Sequence, residues 1–106
     1  MAGEVYVALS TFPDAETARR IARELVNEKL AACANILPPI ESIYRWKGAV
    51  EESAEVQVLF KSPADRYGAF EAKLKQLHPY EVPEIVALPV ATGLDAYLQW
   101  VGESCA

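Results

Sequence analysis

Twice along this chain an apolar strand pattern runs into a proline and then into an amphipathic helix, and that repeat limits the fold more than any other feature. In the first unit, Val5, Val7 and Leu9 alternate with Tyr6, Ala8 and Ser10. Both sets are largely apolar, which predicts a strand inside a sheet, buried on both faces. Thr11-Phe12-Pro13-Asp14 stops the strand, with Asp14 placed to cap a helix and Glu16 to complement its dipole. Ala18, Ile21, Ala22, Leu25 and Val26 then mark one helical face, while Arg19, Arg20, Arg23 and Glu24 point to water. This helix should end near Lys29.

The second unit repeats the plan. Val56, Val58 and Phe60 share one face of a strand over 55–61. Ser62 is expected to cap the next helix, with Pro63 at its first position and Asp65 three residues past the cap. Tyr67, Phe70, Leu74 and Leu77 form its inward stripe, and Tyr67, Phe70 and Leu74 follow Ala18, Ile21 and Leu25 at one constant offset. The helix must stop at His78, since a residue before proline is pushed out of the helical region.

Between the units, residues 34–37 start a strand that Pro38-Pro39 interrupts, which requires a bulge or an edge position. Pairing can resume over 40–46, where Ile40, Ser42, Tyr44 and Trp46 share a face, and Lys47-Gly48 marks a turn. Residues 36–61 thus read as a long, bent hairpin. A last main strand is expected over 84–90, and a short helix over 94–101 with Leu94, Tyr97, Leu98 and Val101 on one side. The order β-α-β-β-α-β plus a tail is that of an α+β, ferredoxin-like sandwich: one antiparallel sheet with two helices on one face. Residues 1–106 form one domain.

A domain of 106 residues buries about two-thirds of its unfolded surface when it folds alone. Hydrophobic residues make up 52% of this one, more than such a domain needs, and an identical subunit is the simplest use for the surplus. The formal charge of −5, without any basic run, excludes nucleic acid and anionic membrane surfaces as natural partners. No apolar stretch approaches the ~20 residues of a membrane-spanning helix. The start of the chain lacks a signal-peptide pattern, and the two cysteines, Cys33 and Cys105, form no CxxC motif. A reducing, cytoplasmic location is therefore expected.

Few residues can carry chemistry. His78 is the sole histidine, either a metal or acid/base group or a helix-end residue bonded to the last carbonyls. One histidine cannot hold a divalent ion tightly, since such sites need three or four ligands. Cys33, Glu81, Glu84 or a neighbouring subunit would have to help. Cys33 itself reads as a packed core thiol, because nothing basic adjoins it in sequence. A Cys33/His78 nucleophilic pair is the enzymatic reading, and no local motif supports it. Tyr44, Trp46 and Lys61, with the acids Glu51, Glu52 and Glu55 nearby, could line a pocket, although aromatics of this kind also anchor subunit interfaces. No glycine-rich phosphate loop is present.

Five ordered segments resemble the motifs of the CutA divalent-cation tolerance family. Residues 30–36 (LAACANI) are similar to its LAAC-x-N motif, and 42–48 (SIYRWKG) to its S-x-Y-x-W-x-G hairpin. Glu55 and 60–62 match its E…K-[ST] strand, 78–85 (HPYEVPEI) its HPY-x-x-PE-I signature, and 97–100 (YLQW) its closing Y-L-x-W. The resemblance implies a non-enzymatic homotrimer built through the long hairpin and sheet edges. It implies a cytoplasmic role in tolerance of copper and other divalent cations, with no required cofactor and Cu(II) or another divalent cation as ligand. Of the positions credited with copper in some members, only His78 carries over: Ser10 and Leu77 stand at the others. His78 with Cys33 is the expected metal set. An analogy with the trimeric PII signalling proteins gives the alternative, a small-molecule sensor whose intersubunit cleft is lined by Tyr44, Trp46, Lys61, Glu55 and Tyr80.

Overall fold

The computed structural model describes residues 4–106. Its elements run β1 (Val5–Phe12), α1 (Ala15–Asn27), β2 (Cys33–Ile36), β3 (Ile40–Trp46), β4 (Ala49–Pro63), α2 (Ala64–Leu77), β5 (Val86–Pro89) and α3 (Asp95–Ser104). The sheet order is β2-β4-β1-β5, with every pairing antiparallel, and β3 joins β4 beyond β2. This is the interlocked arrangement of two split βαβ units that the repeat predicts.

Register explains which side chains meet. Ala8 stands opposite Phe60 and Ser10 opposite Val58, while Ala34 pairs with Phe60 from the other side. Strand side chains alternate between faces. Ala8, Phe12, Val56, Val58 and Phe60 therefore point together toward the helices. There they meet Ala18, Ile21, Ala22 and Leu25 of α1 and Phe70 and Leu74 of α2 in one buried cluster. Phe60 and Phe70 pack edge to face at 5.0 Å between ring centres, a favoured aromatic geometry. β1 is interior, as expected, but Val7 and Leu9 on its other face are only half-buried. Among the described residues α3 is the helix that meets this face, where its Tyr97 hydroxyl lies 3.6 Å from Cys33 Sγ.

Local signals account for most boundaries. Asp14 caps α1 as anticipated, its carboxylate accepting from the Thr17 N–H at 2.7 Å. Lys29 adopts the left-handed conformation (φ 61°) that closes the helix, and the Leu30 N–H reaches back to the Leu25 carbonyl. Lys47 and Gly48, at φ 48° and 83°, make a two-residue turn whose twist suits a hairpin.

Three expectations are corrected. Ser62 does not cap α2: its hydroxyl donates to the Leu30 carbonyl at 2.8 Å, and the helix begins at Ala64 without a side-chain cap. β4 is much longer than 55–61, because the hairpin ladder extends without a break to Ala49. β5 is shorter than 84–90: only Val86–Pro89 form the strand, and Tyr6–Leu9 of β1 pair with them.

Candidate functional site

The sequence-nominated residues fall into three groups. The first surrounds the end of α2. Burial of the His78 ring follows from Pro79, which halts the helix and turns the chain over the end of β1. The ring stacks on Phe12 at 4.8 Å between centres. Its Nε2–H donates to the Thr11 carbonyl at 2.8 Å, and its Nδ1 accepts the Tyr80 N–H at 3.2 Å. Both ring nitrogens are thereby committed, which fixes the neutral, Nε2-protonated tautomer. Burial holds the His78 pKa below its ordinary value, against opposing pulls from the Thr11 carbonyl and Glu55. Tyr80 in turn donates its hydroxyl to the buried Glu55 carboxylate at 2.7 Å. Burial raises the phenol's pKa, and the bond to Glu55 adds to the rise.

The second group lies on the face of the sheet away from α1 and α2. Cys33 stands opposite Lys61, one position out of phase with Phe60, so its side chain points away from the core. The packed core thiol expected at this position is instead half-buried, and the fully buried thiol is Cys105. The Cys33 Sγ lies 3.6 Å from the Tyr97 hydroxyl of α3. That contact, with burial, pushes the phenol's pKa up to about 12. Two residues along β2, Asn35 accepts a hydrogen bond from Lys61 Nζ.

The third group is the hairpin. Tyr44 and Trp46 are 43% and 38% exposed, and Ile43 and Val50 reach 63% and 59%. The Tyr44 hydroxyl is 3.4 Å from Ser53 Oγ, and Lys47 Nζ sits 5.5 Å above the Trp46 ring.

The structure thus brings Glu55, Tyr80 and His78 together and leaves Cys33 and Lys61 apart from them. Gln57, on the strand position opposite Thr11, lies four residues along β4 from Lys61, a separation of roughly 13 Å at the usual strand rise. Among the described residues no group of three or more histidine, cysteine, aspartate or glutamate side chains is placed to hold a metal ion. The donor set of His78 and Cys33 does not fit one: the residues stand apart, and His78 has no free ring lone pair. Asn35 and Tyr97 stand in the segments that carry the family resemblance, whereas Thr11 and Ser53, which also complete these groups, fall in no motif. The parity of the β2–β4 register puts Asn35 on the face of Lys61, and nothing local in sequence points to Thr11 or Ser53.

A split-βαβ sandwich with an extended hairpin, a capped His-Pro corner and a helix across its open face defines a recognisable class of small α+β proteins. The chain belongs to the CutA1 divalent ion tolerance protein family, whose model matches residues 6–104. It is 50% identical over 98 residues to the divalent-cation tolerance protein CutA of Thermus thermophilus, covering 92% of this chain and 95% of that one. It is 46% identical to human Protein CutA, covering 93% of this chain but 55% of the human protein. Among solved structures, the T. thermophilus protein superposes with a TM-score of 0.91 at 49% identity, covering 94% of this chain and 97% of that one. CutA from Xylella fastidiosa superposes at 0.93 with 43% identity, covering 96% and 98%.

Proposed function

We propose that this protein serves divalent-cation tolerance as a non-enzymatic homotrimer in a reducing, cytoplasmic compartment. The family's name supports the first part and says nothing of catalysis. The observation that carries the assembly is the amount of apolar surface one subunit leaves open. Ile43 and Val50 on the hairpin, Val86 and Leu88 on β5, and Leu94 on α3 are all more than half exposed. A stable monomer rarely leaves so many large apolar side chains open to water. Association would bury the open sheet face and the hairpin together.

In this reading the ion is not held by His78 with Cys33. Metal response would act through the assembly, with any Cu(II) or other divalent ion bound weakly between subunits. Light scattering at micromolar concentration should give three times the 11.7 kDa chain mass; a monomer overturns the assembly. Titration of Cu(II) by calorimetry should give the same isotherm for the wild type and His78→Ala. Saturable binding abolished by that substitution returns the ion to His78.

The bond of half-buried Tyr80 to buried Glu55 beside the hairpin base favours a second reading, a PII-like sensor of a small molecule at an intersubunit cleft with Tyr44, Trp46 and Lys61. Trp46 fluorescence should then change with one member of a metabolite panel, and a flat response across the panel removes this reading.

A further inference from the structure

Two oppositely charged side chains of β4 lack a counter-ion within the chain. Glu55, at the base of the hairpin, is 8% exposed, and among the described residues the Tyr80 hydroxyl is the donor it accepts from. Lys61, on the open face of the sheet, is half-buried and donates to the Asn35 side-chain oxygen. Among the described residues the ion pairs are those of Lys73 with Glu24 and Glu28, and neither Glu55 nor Lys61 takes part. Charges withdrawn from water are costly alone, so buried ones are paired as a rule.

The two cannot meet inside one subunit. Lys61 is the sixth residue past Glu55 on an unbroken strand, which separates them by about 20 Å at the usual rise. The even spacing puts both on one side of β4. Register carries that side along the hairpin, where Ser42 stands opposite Ser53 and Tyr44 opposite Glu51. Neither cation of the hairpin answers Glu55. Arg45, opposite Val50, points to the other side, and the Lys47 ammonium sits over Trp46. One continuous side of the molecule thus carries an unanswered acid at the hairpin base and an unanswered base on the sheet. Leu88, in the same row as Lys61 across Val7, lies exposed there.

We infer that in the homotrimer Lys61 of the partner subunit enters the base of the hairpin and pairs with Glu55, so that each interface holds a site completed by both copies. The pairing rests on the trimeric reading, since covering the open face takes Lys61 out of water and leaves it in need of a carboxylate. Glu55 is the acid already withdrawn from water. Glu51 shares its side of the hairpin but is exposed and keeps its hydration. The contact is head to tail, so closing the ring uses every Glu55 and every Lys61 once. Tyr80 and Asn35 act as positioning residues, the first orienting the carboxylate and the second the ammonium.

Light scattering gives the mass of the assembly. Subunit exchange between unlabelled and isotope-labelled protein, followed by native mass spectrometry at the lowest urea concentration at which the wild type exchanges, gives its rate of dissociation. Glu55→Gln keeps an acceptor for Tyr80, and Lys61→Met keeps the length of the side chain, so each removes a charge and little else. An unchanged circular dichroism spectrum confirms that each variant folds. Each should exchange at least about tenfold faster than the wild type, because losing one partner of a desolvated pair acts mainly on dissociation. The double variant should exchange no faster than the faster single one, since both changes remove the same contact. Glu51→Gln should exchange at the wild-type rate. A trimer whose exchange is unchanged in both single variants leaves the lysine to a bound anion and overturns the pairing while the assembly stands. So does a double variant whose rate shows the product of the two single effects, or a Glu51→Gln rate as high as that of Glu55→Gln. A monomeric wild type removes the assembly itself, and the pairing with it.

Discussion

The two halves of β4 have the same backbone geometry and opposite surroundings. From Val56 to Pro63 every second side chain is buried, and Val58, Phe60 and Ser62 have no exposure at all. From Ala49 to Ala54 no side chain is buried, and the strand has β3 alone for a partner. A two-stranded ribbon is at best marginal in water. The hairpin therefore borrows its order from the sheet at its base and, in our reading, from neighbouring subunits. The contrast teaches that ladder hydrogen bonds set the shape of a strand, whereas burial decides which part of it carries stability.

The sharpest way to break this contrast is to cut each half. Phe60→Ala should destabilise the chain by about 3–5 kcal/mol in urea unfolding, because it opens a cavity against Phe70. A loss near zero would show that the helix-covered face is not the source of stability. The boundary between the halves is Glu55, and Tyr80→Phe removes the hydroxyl that its buried carboxylate accepts from. A cost of about 1–3 kcal/mol is expected, whereas an unchanged midpoint would place water on that carboxylate.

A smaller effect is expected from pH. The folded pKa of His78 lies below the ordinary 6.5, so on acidification the unfolded chain is protonated first. The stability contributed by neutral His78 is complete above that value and is lost as the pH falls through the folded pKa. Protonating Nδ1 also turns it against the Tyr80 N–H. Unfolding followed between pH 7.5 and 5 should lose this slope in His78→Gln; an identical slope in both proteins assigns it to other groups. Smallest of all, Ile43→Ala and Val50→Ala should change the stability of a single subunit by less than about 0.5 kcal/mol. Their effect should appear in the concentration dependence of assembly, and an effect on the dilute subunit as large as that of Phe60→Ala erases the distinction between the halves.

The same contrast explains what could be read in advance. The helix-covered half has strict period-two and helical patterning, so the sandwich, both helix stripes and the Asp14 cap were legible. The hairpin half reads Ala49-Val50-Glu51-Glu52-Ser53-Ala54, with no alternation to mark a strand, so half of β4 was missed. Ser62 looked like a cap because capping is a local rule, yet the carbonyl of Leu30, distant in sequence, takes its hydroxyl. The Cys33 assignment failed for a similar reason. Apolar neighbours suggested burial, but the pairing partner Lys61 sets which face the side chain takes. The candidate site was half legible: the His-Pro-Tyr run brought His78 and Tyr80 to notice, while the carbonyl and carboxylate they bind lie on β1 and β4.

The unbroken course of β4 has one more consequence. Because a single strand runs from the Lys47-Gly48 turn to Pro63, residue parity is conserved along all 15 positions. A one-residue insertion near the turn could be absorbed at the tip as a change of loop. The same insertion at Ala54 would exchange inside for outside in everything on one side of it, and a two-residue insertion would not. Length variation along this strand should therefore be tolerated freely at the tip and in even steps below it, making the hairpin a part that can be lengthened without retuning the domain that bears it.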